Sequence, residues 1–582
     1  MVRGNHQLTF GTQLSAWWTN SYSNASAFPT ITFSGQTTGL GMSDFLIGAV
    51  NTFRYGTTGD QNKRSKYFGL YAADTWKLNR KVTLNYGLRW EPFFPMIHLD
   101  NTVLHFDIDT LRKGIKSNRF AATPPGILFT GDPGFPAYQG MYNKWKNFSP
   151  RVGVAWDVTG DGHTSVRASV GSFYDYPSNL YLQGFSNGAP FLPTFLRNNV
   201  SFQDPWANEP GGDPFPLSYG RNLKYNDARW PAYALVTSLD YNTPNMQVYQ
   251  WNLSLQKQVR TGWLISGTYL GNNTVHMWAV QGTNPAVFLG LEPCTLAGVS
   301  YPTCSTTANT NQRRRLSQEN PATGQFFGPI NHVEAGATAS YNGLILSVER
   351  RAGHGITLGG NYTWSHCISD PGGLSAIQGT ADVGYSNPGN RRFDRGNCAV
   401  ASTDRRQVFN LSAVARTRQL ANPALRALGS GWQLSPIFKI LSGDSMTVTT
   451  TQDRSLTGLL PMISQALTAG QRVNQLRANP YGDKSVKNYL SGAAFALPAL
   501  GTFPNEGMGS ILGPATWQFD AALSRTFQLR EAKRLEFRAE AFNLTNSLHM
   551  NDPITNLGSS LFGQVTSAKD PRIMQFALKY LF

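Results

Sequence analysis

The feature that most constrains the fold of this chain is an alternation of apolar and polar residues with a period of two. In Val82–Trp90 every second residue from Val82 onwards is apolar, and the residues between them are polar or small. A β-strand points successive side chains to opposite faces, so this run predicts a strand with one apolar face. Less regular runs of the same kind occur at 152–158, 249–256, 344–349, 356–364, 517–524 and 535–540.

The predicted strands are long, and many end near aromatic residues. We draw them at 5–18, 67–77, 82–90, 150–158, 164–173, 247–258, 263–271, 341–350, 356–366, 405–416, 431–449, 515–527, 534–545 and 572–582. A tilted strand that crosses a bilayer needs about 9–11 residues, and most of these runs are long enough. Tryptophans such as Trp76, Trp90 and Trp364 stand near strand ends, as in the aromatic girdles of membrane barrels. A soluble β-sandwich also alternates, but its strands are usually shorter.

The connections between these strands alternate in length. Short links cover 78–81, 159–163, 259–262, 351–355, 417–430 and 528–533, whereas the links at 91–149, 174–246, 272–340, 367–404, 450–514 and 546–571 are long. Outer-membrane barrels have short periplasmic turns and long extracellular loops. The sequence therefore predicts an all-β fold, an antiparallel transmembrane β-barrel of about 14 strands that occupies 1–582 as one domain.

The composition argues against several other classes of protein. No run of about 18 apolar residues exists, which excludes a helical membrane protein, and an aromatic content of 12% argues against disorder. The formal net charge is +16, and arginines cluster at 313–315, 350–351, 391–392 and 405–406. These clusters are scattered and no nucleic-acid-binding motif accompanies them. We therefore expect no nucleic-acid partner and place these arginines in solvated loops and turns.

Four cysteines fall into two local pairs within the long links. Cys294 with Cys304 and Cys367 with Cys398 have a spacing that favours disulfides formed in an oxidising compartment. His366, next to Cys367, imitates part of a metal site, but the disulfide is the stronger prediction. Unpaired thiols are the alternative.

The chain ends in an apolar row with a period of two. Met574, Phe576, Leu578, Tyr580 and Phe582 form one face of the predicted last strand. A terminal phenylalanine that follows apolar and aromatic residues at steps of two is similar to the signal that outer-membrane barrels present to the barrel assembly machinery. We expect these residues to be such an assembly signal, with that machinery and outer-membrane lipid as partners.

The first residues of the chain, Met1–His6, have no apolar segment of the kind a signal peptide requires. Either the chain is cytoplasmic or its true beginning is absent. Because the rest of the sequence favours a membrane barrel, we expect the second.

Known catalytic motifs were not found in the sequence. It has no phosphate-binding P-loop, no His-Glu-x-x-His and no Gly-x-Ser-x-Gly. Asp107-x-Asp109 is too little for a calcium loop. We therefore predict that the chain is not an enzyme and has no cofactor, no metal site and no catalytic residue.

Charged residues on the polar face of two neighbouring predicted strands form a separate candidate. We interpret Asp520, Glu536, Arg538 and Glu540 as paired charges that line a wet lumen, since a charge that faces lipid costs about 2–4 kcal/mol at mid-bilayer. A proton relay and catalytic carboxylates are the alternatives. Arg525 lies on the apolar face, near the predicted periplasmic end, where a long side chain can reach the interface.

Several stretches together resemble the TonB-dependent outer-membrane receptors, specifically the Oar-like barrels common in acidobacteria and myxobacteria. They are spread over nearly the whole chain: Ser43–Gly48, Tyr67–Glu91, Tyr341–Ser365, Ala494–Pro498, Phe537–Asn546, Phe562–Gln564, Asp570–Arg572 and the closing strand. Such receptors have a signal peptide, often a small carboxypeptidase-regulatory-like sandwich, a plug with a TonB box, and a barrel of about 22 strands. The resemblance implies that this chain is the C-terminal barrel portion of such a receptor, without signal peptide, plug and first strands.

The resemblance also implies a function in the cell outer membrane of a Gram-negative bacterium. The barrel would take up an unidentified solute, and the TonB system would act only through a plug that this chain lacks. Long links such as Gly184–Tyr219 and Tyr225–Tyr241 are rich in aromatic and amide side chains, which suit sugar or peptide ligands. A passive porin-like channel, a surface-interaction or adhesion protein without transport, and an outer-membrane hydrolase are the alternatives.

Overall fold

The structure is a computed structural model of the chain. It describes residues 1–582 except 24–27, 57–58, 121, 177–181, 183–185, 187, 192–193, 208–211, 214–229, 231, 354, 371–384, 399–403, 460–469 and 530–532. The helices in the described part are short, and none of them is long and apolar enough to cross a membrane.

Fourteen strands of nine or more residues dominate one large sheet in the described residues. We number them in chain order: β1 His6–Ser23, β2 Gly59–Lys77, β3 Val82–Trp90, β4 Phe148–Asp157, β5 Thr164–Asp175, β6 Met246–Arg260, β7 Trp263–Gly282, β8 Phe327–Gly353, β9 Ile356–Ser369, β10 Gln407–Arg416, β11 Trp432–Leu441, β12 Thr516–Gln528, β13 Arg534–Phe542 and β14 Ile573–Leu581. Four short strands join the same sheet: Val2–Arg3, Ile97–His98, Ala234–Leu239 and Gly396–Asn397.

Each long strand pairs antiparallel with the next one in the chain, from β1 with β2 to β13 with β14. The sheet is therefore one continuous meander. Within the described residues no pairing joins β14 to β1, so the barrel is not closed. The short strand Ala234–Leu239 runs parallel to the first part of β8.

The register places the predicted apolar rows on one face of the sheet. Tyr86 of β3 lies opposite Val152 of β4, which lies opposite Val170 of β5. At the other end of the sheet, Leu523 of β12 lies opposite Ala539 of β13. Residues directly opposite each other in an antiparallel pair share a face. We call this apolar side the outer face and the opposite side the inner face.

Apolar side chains of the outer face are uncovered. Val152 is 53% exposed, Leu253 53%, Leu346 48% and Phe576 65%. Monomeric soluble proteins rarely leave an apolar surface of such extent in contact with water. The exposed row is what a strand that borders hydrocarbon presents.

Several strands differ from the sequence-based bounds. β7 and β8 run far beyond the predicted 263–271 and 341–350, because their outer ends continue into the long connections and pair there. The predicted strand 431–449 is too long: β11 ends at Leu441. Beyond it, Gly443 lies so close to the backbone of Gly513 that a Cβ would clash, and the chain leaves the sheet at this point.

The long connections contain small elements of their own. Their strands are Thr30–Thr32, Thr52–Gly56, Leu104–Phe106, Ile127–Phe129, Thr194–Asn198, Cys294–Leu296, Val299–Tyr301, Ser445–Met446, Thr449–Thr450, Gln471–Arg472, Asn474–Gln475, Tyr481–Ser485, Asn488–Leu490, Phe495–Ala496 and Ile511–Leu512. Helices span Gly41–Leu46, Ile108–Arg112, Arg315–Glu319, Pro321–Gly324 and Pro423–Gly429, with single 3₁₀ turns at Ala137–Gln139, Arg391–Asp394 and Gly492–Ala494. The link 417–430, predicted as short, holds the helix Pro423–Gly429.

The hydrophobic core of the described residues lies mainly in these connections. One cluster packs around Phe93, Val103 and Val333, and a second packs around Phe129 and Phe327. A third cluster joins the connection between β11 and β12 to the one between β13 and β14. The connections are therefore packed against each other and against the outer ends of the strands.

The expectation that the arginine clusters are solvated is wrong for Arg313 and Arg314 of the first cluster, whereas Arg315 is exposed. Arg313 and Arg314 are 0% and 1% exposed. The Arg313 guanidinium donates to the carbonyl oxygens of Val287 at 2.7 Å and Leu456 at 3.0 Å, which lie in different connections. Carbonyl groups in loops need donors when they are buried, and this side chain supplies them.

Candidate ligand-binding cavity

A cavity of about 910 Å³ lies among the long connections. The strand Leu104–Phe106 and the helix Ile108–Arg112 form one wall. The outer ends of β7 and β8 form another, through residues such as Gln281 and His332. Elements that are far apart in the sequence therefore meet at this point.

The floor of the cavity is apolar. Phe106, Leu316 and Ile330 belong to the second hydrophobic cluster and are at least nine-tenths buried. The ring of Phe106 packs against that of Phe327, with 5.0 Å between the ring centroids. Because these three side chains are part of a packed core, the apolar part of the cavity wall is held in place.

Two carboxylates enter the cavity from the start of the helix Ile108–Arg112. The Asp107 side chain accepts a hydrogen bond from the Thr110 backbone N–H at 2.7 Å and so caps the helix. Asp109 lies in the first turn of the same helix and is exposed. The Asp107-x-Asp109 motif, too short for a calcium loop, thus lies at the cavity.

A third carboxylate comes from the end of the strand Ala234–Leu239. The Asp240 side chain is 80% exposed, and one of its oxygens lies 3.9 Å from His332 Nε2 on β8. Among the described residues, no group of three or more His, Cys, Asp and Glu side chains is arranged to hold a metal ion.

Two ring side chains, those of His105 and Tyr241, also line the cavity. His105 lies 2.7 Å from the carbonyl oxygen of Gly140 through Nε2, and burial lowers its pKa to about 4, so the ring is neutral near pH 7. The His105 ring also contacts the ring of Tyr241, at a centroid distance of 5.5 Å. Burial, and then the charge of Asp107, raise the pKa of Tyr241, which therefore keeps its hydroxyl proton.

Arg315 is the one guanidinium that lines the cavity among the residues that the structure describes. It begins the helix Arg315–Glu319, and its Nε lies 3.5 Å from Glu319 Oε1, an i,i+4 pair. Arg112 approaches the same carboxylate at 3.8 Å.

The predicted lumen charges lie on the inner face of β12 and β13. Arg538 is 3.1 Å from Glu536 and 3.5 Å from Glu540, so these three form a charged row along one strand. Asp520 shares the inner face but not the row. Its carboxylate accepts from the Gln518 side chain at 3.0 Å and from the Asn543 backbone N–H at 2.7 Å.

The apolar row of the last strand lies on the outer face. Met574 is opposite Ala541, Phe576 is opposite Ala539, and Leu578 and Tyr580 follow in the same register. These four side chains are exposed, and Phe582 follows the end of the strand at 93% exposure. Arg525, also on the outer face, lies over the rings of Trp432 and Phe527 at 5.4 and 4.5 Å.

Both predicted disulfides are present, but Cys367 lies within β9 and not in the predicted link 367–404. Cys294–Cys304 closes a hairpin between the strands Cys294–Leu296 and Val299–Tyr301. Cys367–Cys398 ties the end of β9 to the short strand Gly396–Asn397. Next to Cys367, the His366 Nε2 lies 3.0 Å from Asn397 Oδ1 and 2.8 Å from the Arg406 guanidinium.

Sequence reasoning did not single out Asp240, Arg315 or His332 as site residues, although Asp240 lies within the candidate segment Tyr225–Tyr241 and Arg315 within the arginine cluster 313–315. Asp240 and Arg315 stand at the ends of small elements inside long connections, and His332 lies in the part of β8 that was predicted as a long link, so no periodic pattern marks these residues. The loop segments singled out for ligand binding are described only in part, and 214–229 lies outside the described residues.

No curated protein matches the sequence. Solved structures similar to it include the outer membrane transporter YddB from Escherichia coli, with a TM-score of 0.45, 12% identity, and coverage of 100% of this chain and 52% of that chain. Others are the ferric enterobactin receptor PfeA from Pseudomonas aeruginosa (TM-score 0.42, 12% identity, 99% and 50%) and the siderophore receptor PirA from Acinetobacter baumannii (0.40, 12%, 99% and 52%). This chain spans about half the length of those chains.

The sequence matches a protein family described as "Outer membrane beta barrel domain" over residues 1–575. The match covers nearly all of the 582 residues and includes β1 to β13 completely. The meander with its uncovered apolar face agrees with that description. This chain therefore belongs to the outer membrane beta barrel family and is a protein of the Gram-negative outer membrane.

Proposed function

We propose that this chain forms the wall of a receptor that takes up a solute across the outer membrane. Its long connections bind the solute, and the polar inner face lines the route inward. The observation that carries this proposal is the cavity of about 910 Å³ among connections that pack at one end of the meander. Small-molecule sites typically have volumes of about 300–1,000 Å³.

The inner face supports a water-filled route. Arg89 of β3 donates to the Glu91 carboxylate at 2.9 Å and to the Gln13 side chain at 2.9 Å. The row formed by Glu536, Arg538 and Glu540 lies on the same face of the sheet. Charged groups that pair side by side are stable next to water and costly next to lipid.

The receptor class within this proposal is Oar-like and TonB-dependent, as the motifs spread over the sequence imply. Uptake would then be driven by the TonB system through a plug, and this chain would be the C-terminal barrel portion. In the described part of the sheet, β1 and β14 are the outermost long strands and do not pair with each other. Further strands beside them are expected, because unpaired backbone groups in lipid cost several kcal/mol each. A barrel of the 22-strand class would need about eight more.

The outer-face row of β14 supports a role in assembly. Met574, Phe576, Leu578 and Tyr580 present one exposed apolar edge, with Phe582 at its end. We assign this row to recognition by the barrel assembly machinery. Deletion of Phe582 should then reduce the folded protein in the outer membrane without changing its stability once folded.

Energy dependence tests the transport proposal against the alternatives. Cells that carry the receptor take up its solute, and a protonophore that removes the proton gradient stops that uptake. A passive channel continues to conduct under the protonophore and gives single-channel currents in planar bilayers. A surface-interaction protein shows neither uptake nor currents, and that result would reject the proposal.

A further inference from the structure

The cavity carries the opposite sign of charge from the chain around it. Among the described residues, its lining contains three carboxylates, of Asp107, Asp109 and Asp240, and one guanidinium, of Arg315, a formal charge of −2 over these four groups. The whole chain has a formal charge of +16. A cleft with walls of low dielectric constant concentrates the field of the charges that line it. The excess of carboxylates over basic side chains is therefore a local property of this cavity.

The basic side chain of the lining is already engaged. Arg315 lies 3.5 Å from Glu319, and Arg112 lies 3.8 Å from the same carboxylate. Glu319 thus adds a further negative charge next to the guanidinium of Arg315. An anionic solute would have to compete with Glu319 for Arg315.

The carboxylates are more accessible. Asp240 has an 80% exposed side chain, and one of its carboxylate oxygens lies 3.9 Å from His332 Nε2. Asp109 is exposed, and no ion pair to it occurs within the described residues. Asp107 uses one oxygen to cap the helix Ile108–Arg112 and keeps acceptor capacity on the other.

The arrangement combines these acceptors with the apolar floor of Phe106, Leu316 and Ile330. Such a site holds the aliphatic part of a ligand against the floor and its charged part at the carboxylates. Lysine-like amines on alkyl chains have this shape and charge distribution. Catecholate and phosphate groups have the wrong charge for the carboxylates.

We infer that this cavity binds a cationic, amine-bearing solute of a few residues in length and disfavours anionic iron chelates. The inference deepens the proposed function and rests on it, because uptake requires the solute to bind among the long connections. The chemical class of the solute follows from the carboxylates and the apolar side chains that line the cavity.

The test uses the full purified chain in detergent and trilysine as the probe. Trilysine should bind, and the Asp109→Asn/Asp240→Asn variant should bind it about tenfold more weakly or worse. Trilysine acetylated on its side-chain amines should lose affinity to a similar degree. Affinity for trilysine should fall as the salt concentration rises, because the carboxylates are partly exposed.

A matched control removes the same number of charges elsewhere. Glu292→Gln/Asp483→Asn changes two carboxylates that do not line the cavity, and it should bind trilysine as the unchanged chain does. Equal or tighter binding of the anionic iron(III) tris-catechol complex would overturn the inference. So would an absence of trilysine binding, or equal loss in both double variants.

The binding assay separates this inference from the proposed function. Binding in detergent requires neither a plug nor the TonB system. If trilysine binds as expected but energised uptake is absent in cells that carry the whole receptor with its plug, the transport proposal fails and the assignment of the cavity stands. If uptake of another solute occurs and trilysine does not bind, the assignment fails and transport stands.

Discussion

The guanidinium of Arg472 lies 2.7 Å from the carboxylate of Asp394, and the two side chains are 2% and 0% exposed. Asp394 belongs to the connection between β9 and β10, and Arg472 to the connection between β11 and β12. Arg472 also donates to the Glu506 carbonyl at 2.6 Å. Two loops that the sequence separates are therefore held together by a buried ion pair.

Removal of one partner of this pair should be costly. Arg472→Met leaves the Asp394 carboxylate buried without its counter-charge, and we expect the free energy of unfolding to fall by about 3–5 kcal/mol. Urea denaturation in detergent, with protease cleavage of the connections as readout, measures the loss. The double variant Arg472→Met/Asp394→Asn should recover a large part of it.

The ion pair of Arg538 with Glu536 provides the matched control. It has a similar distance of 3.1 Å, but the Arg538 side chain is 50% exposed. Arg538→Met should therefore cost about 1 kcal/mol or less. Equal losses at the two sites would show that burial does not decide the strength of these pairs.

Glu506 should make the stability of the connections depend on pH. Its carboxyl is 2% exposed, accepts from the Val448 backbone N–H at 2.8 Å, and has its pKa raised by burial to about 8. The folded state thus keeps a proton that the unfolded chain releases near pH 4.5. The contribution of Glu506 to the free energy of unfolding is fully present below pH 4.5 and is lost as the pH rises to about 8.

Glu506→Gln isolates this effect, because glutamine has the same shape and does not ionise. The difference in unfolding free energy between the two proteins should change steadily between pH 5 and 8 and level off at the ends. His98 and His105, whose pKa values burial lowers to about 3 and about 4, destabilise both proteins alike in acid. A difference that does not vary with pH would contradict the assignment.

The strands could be predicted from the sequence because a period of two is a local signal. Val82–Trp90 has the predicted bounds, and the outer-face rows lie in register from β3 to β14. Strand ends were less certain, since the length of β8 depends on pairing with the end of β7 and with Ala234–Leu239. Local alternation carries no information on such partners.

The packing of the connections could not be read from the sequence. In the sequence Arg313 belongs to a basic cluster of the kind that is usually solvated. It is buried because its guanidinium donates to carbonyl oxygens in two other stretches of chain. The cavity has the same origin, because Asp107, Asp240 and Arg315 come from three separate connections.

Cysteine pairing was predictable because each pair is close in the sequence, with separations of 10 and 31 residues.

The disulfide Cys367–Cys398 should restrain the connection between β9 and β10. Reduction, or the variant Cys367→Ser/Cys398→Ser, removes a cross-link across 31 residues and should lower stability by about 2–4 kcal/mol. Trypsin should then cleave this connection faster. The shorter Cys294–Cys304 loop should give a smaller effect when it is opened in the same way, and the reverse order would count against loop closure as the cause.

A charge on the outer face should hinder insertion into lipid. Leu346 of β8 lies on the outer face and is 48% exposed, whereas its neighbour Ser347 lies on the inner face. Leu346→Arg should cost about 2–4 kcal/mol near mid-bilayer, and Ser347→Arg should cost little. Folding into lipid vesicles, followed by the gel shift between folded and unfolded barrels, compares the two; equal effects would contradict the assignment of faces.

The most direct measurement places a nitroxide label in turn at each position of Val82–Trp90 in reconstituted bilayers. The native cysteines are paired in disulfides and do not compete for the label. We predict that labels at 82, 84, 86, 88 and 90 are relaxed by oxygen dissolved in the hydrocarbon. Labels at the positions between them should be relaxed by a water-soluble nickel complex instead. A row that neither reagent reaches, or accessibility without a period of two, would contradict the membrane barrel.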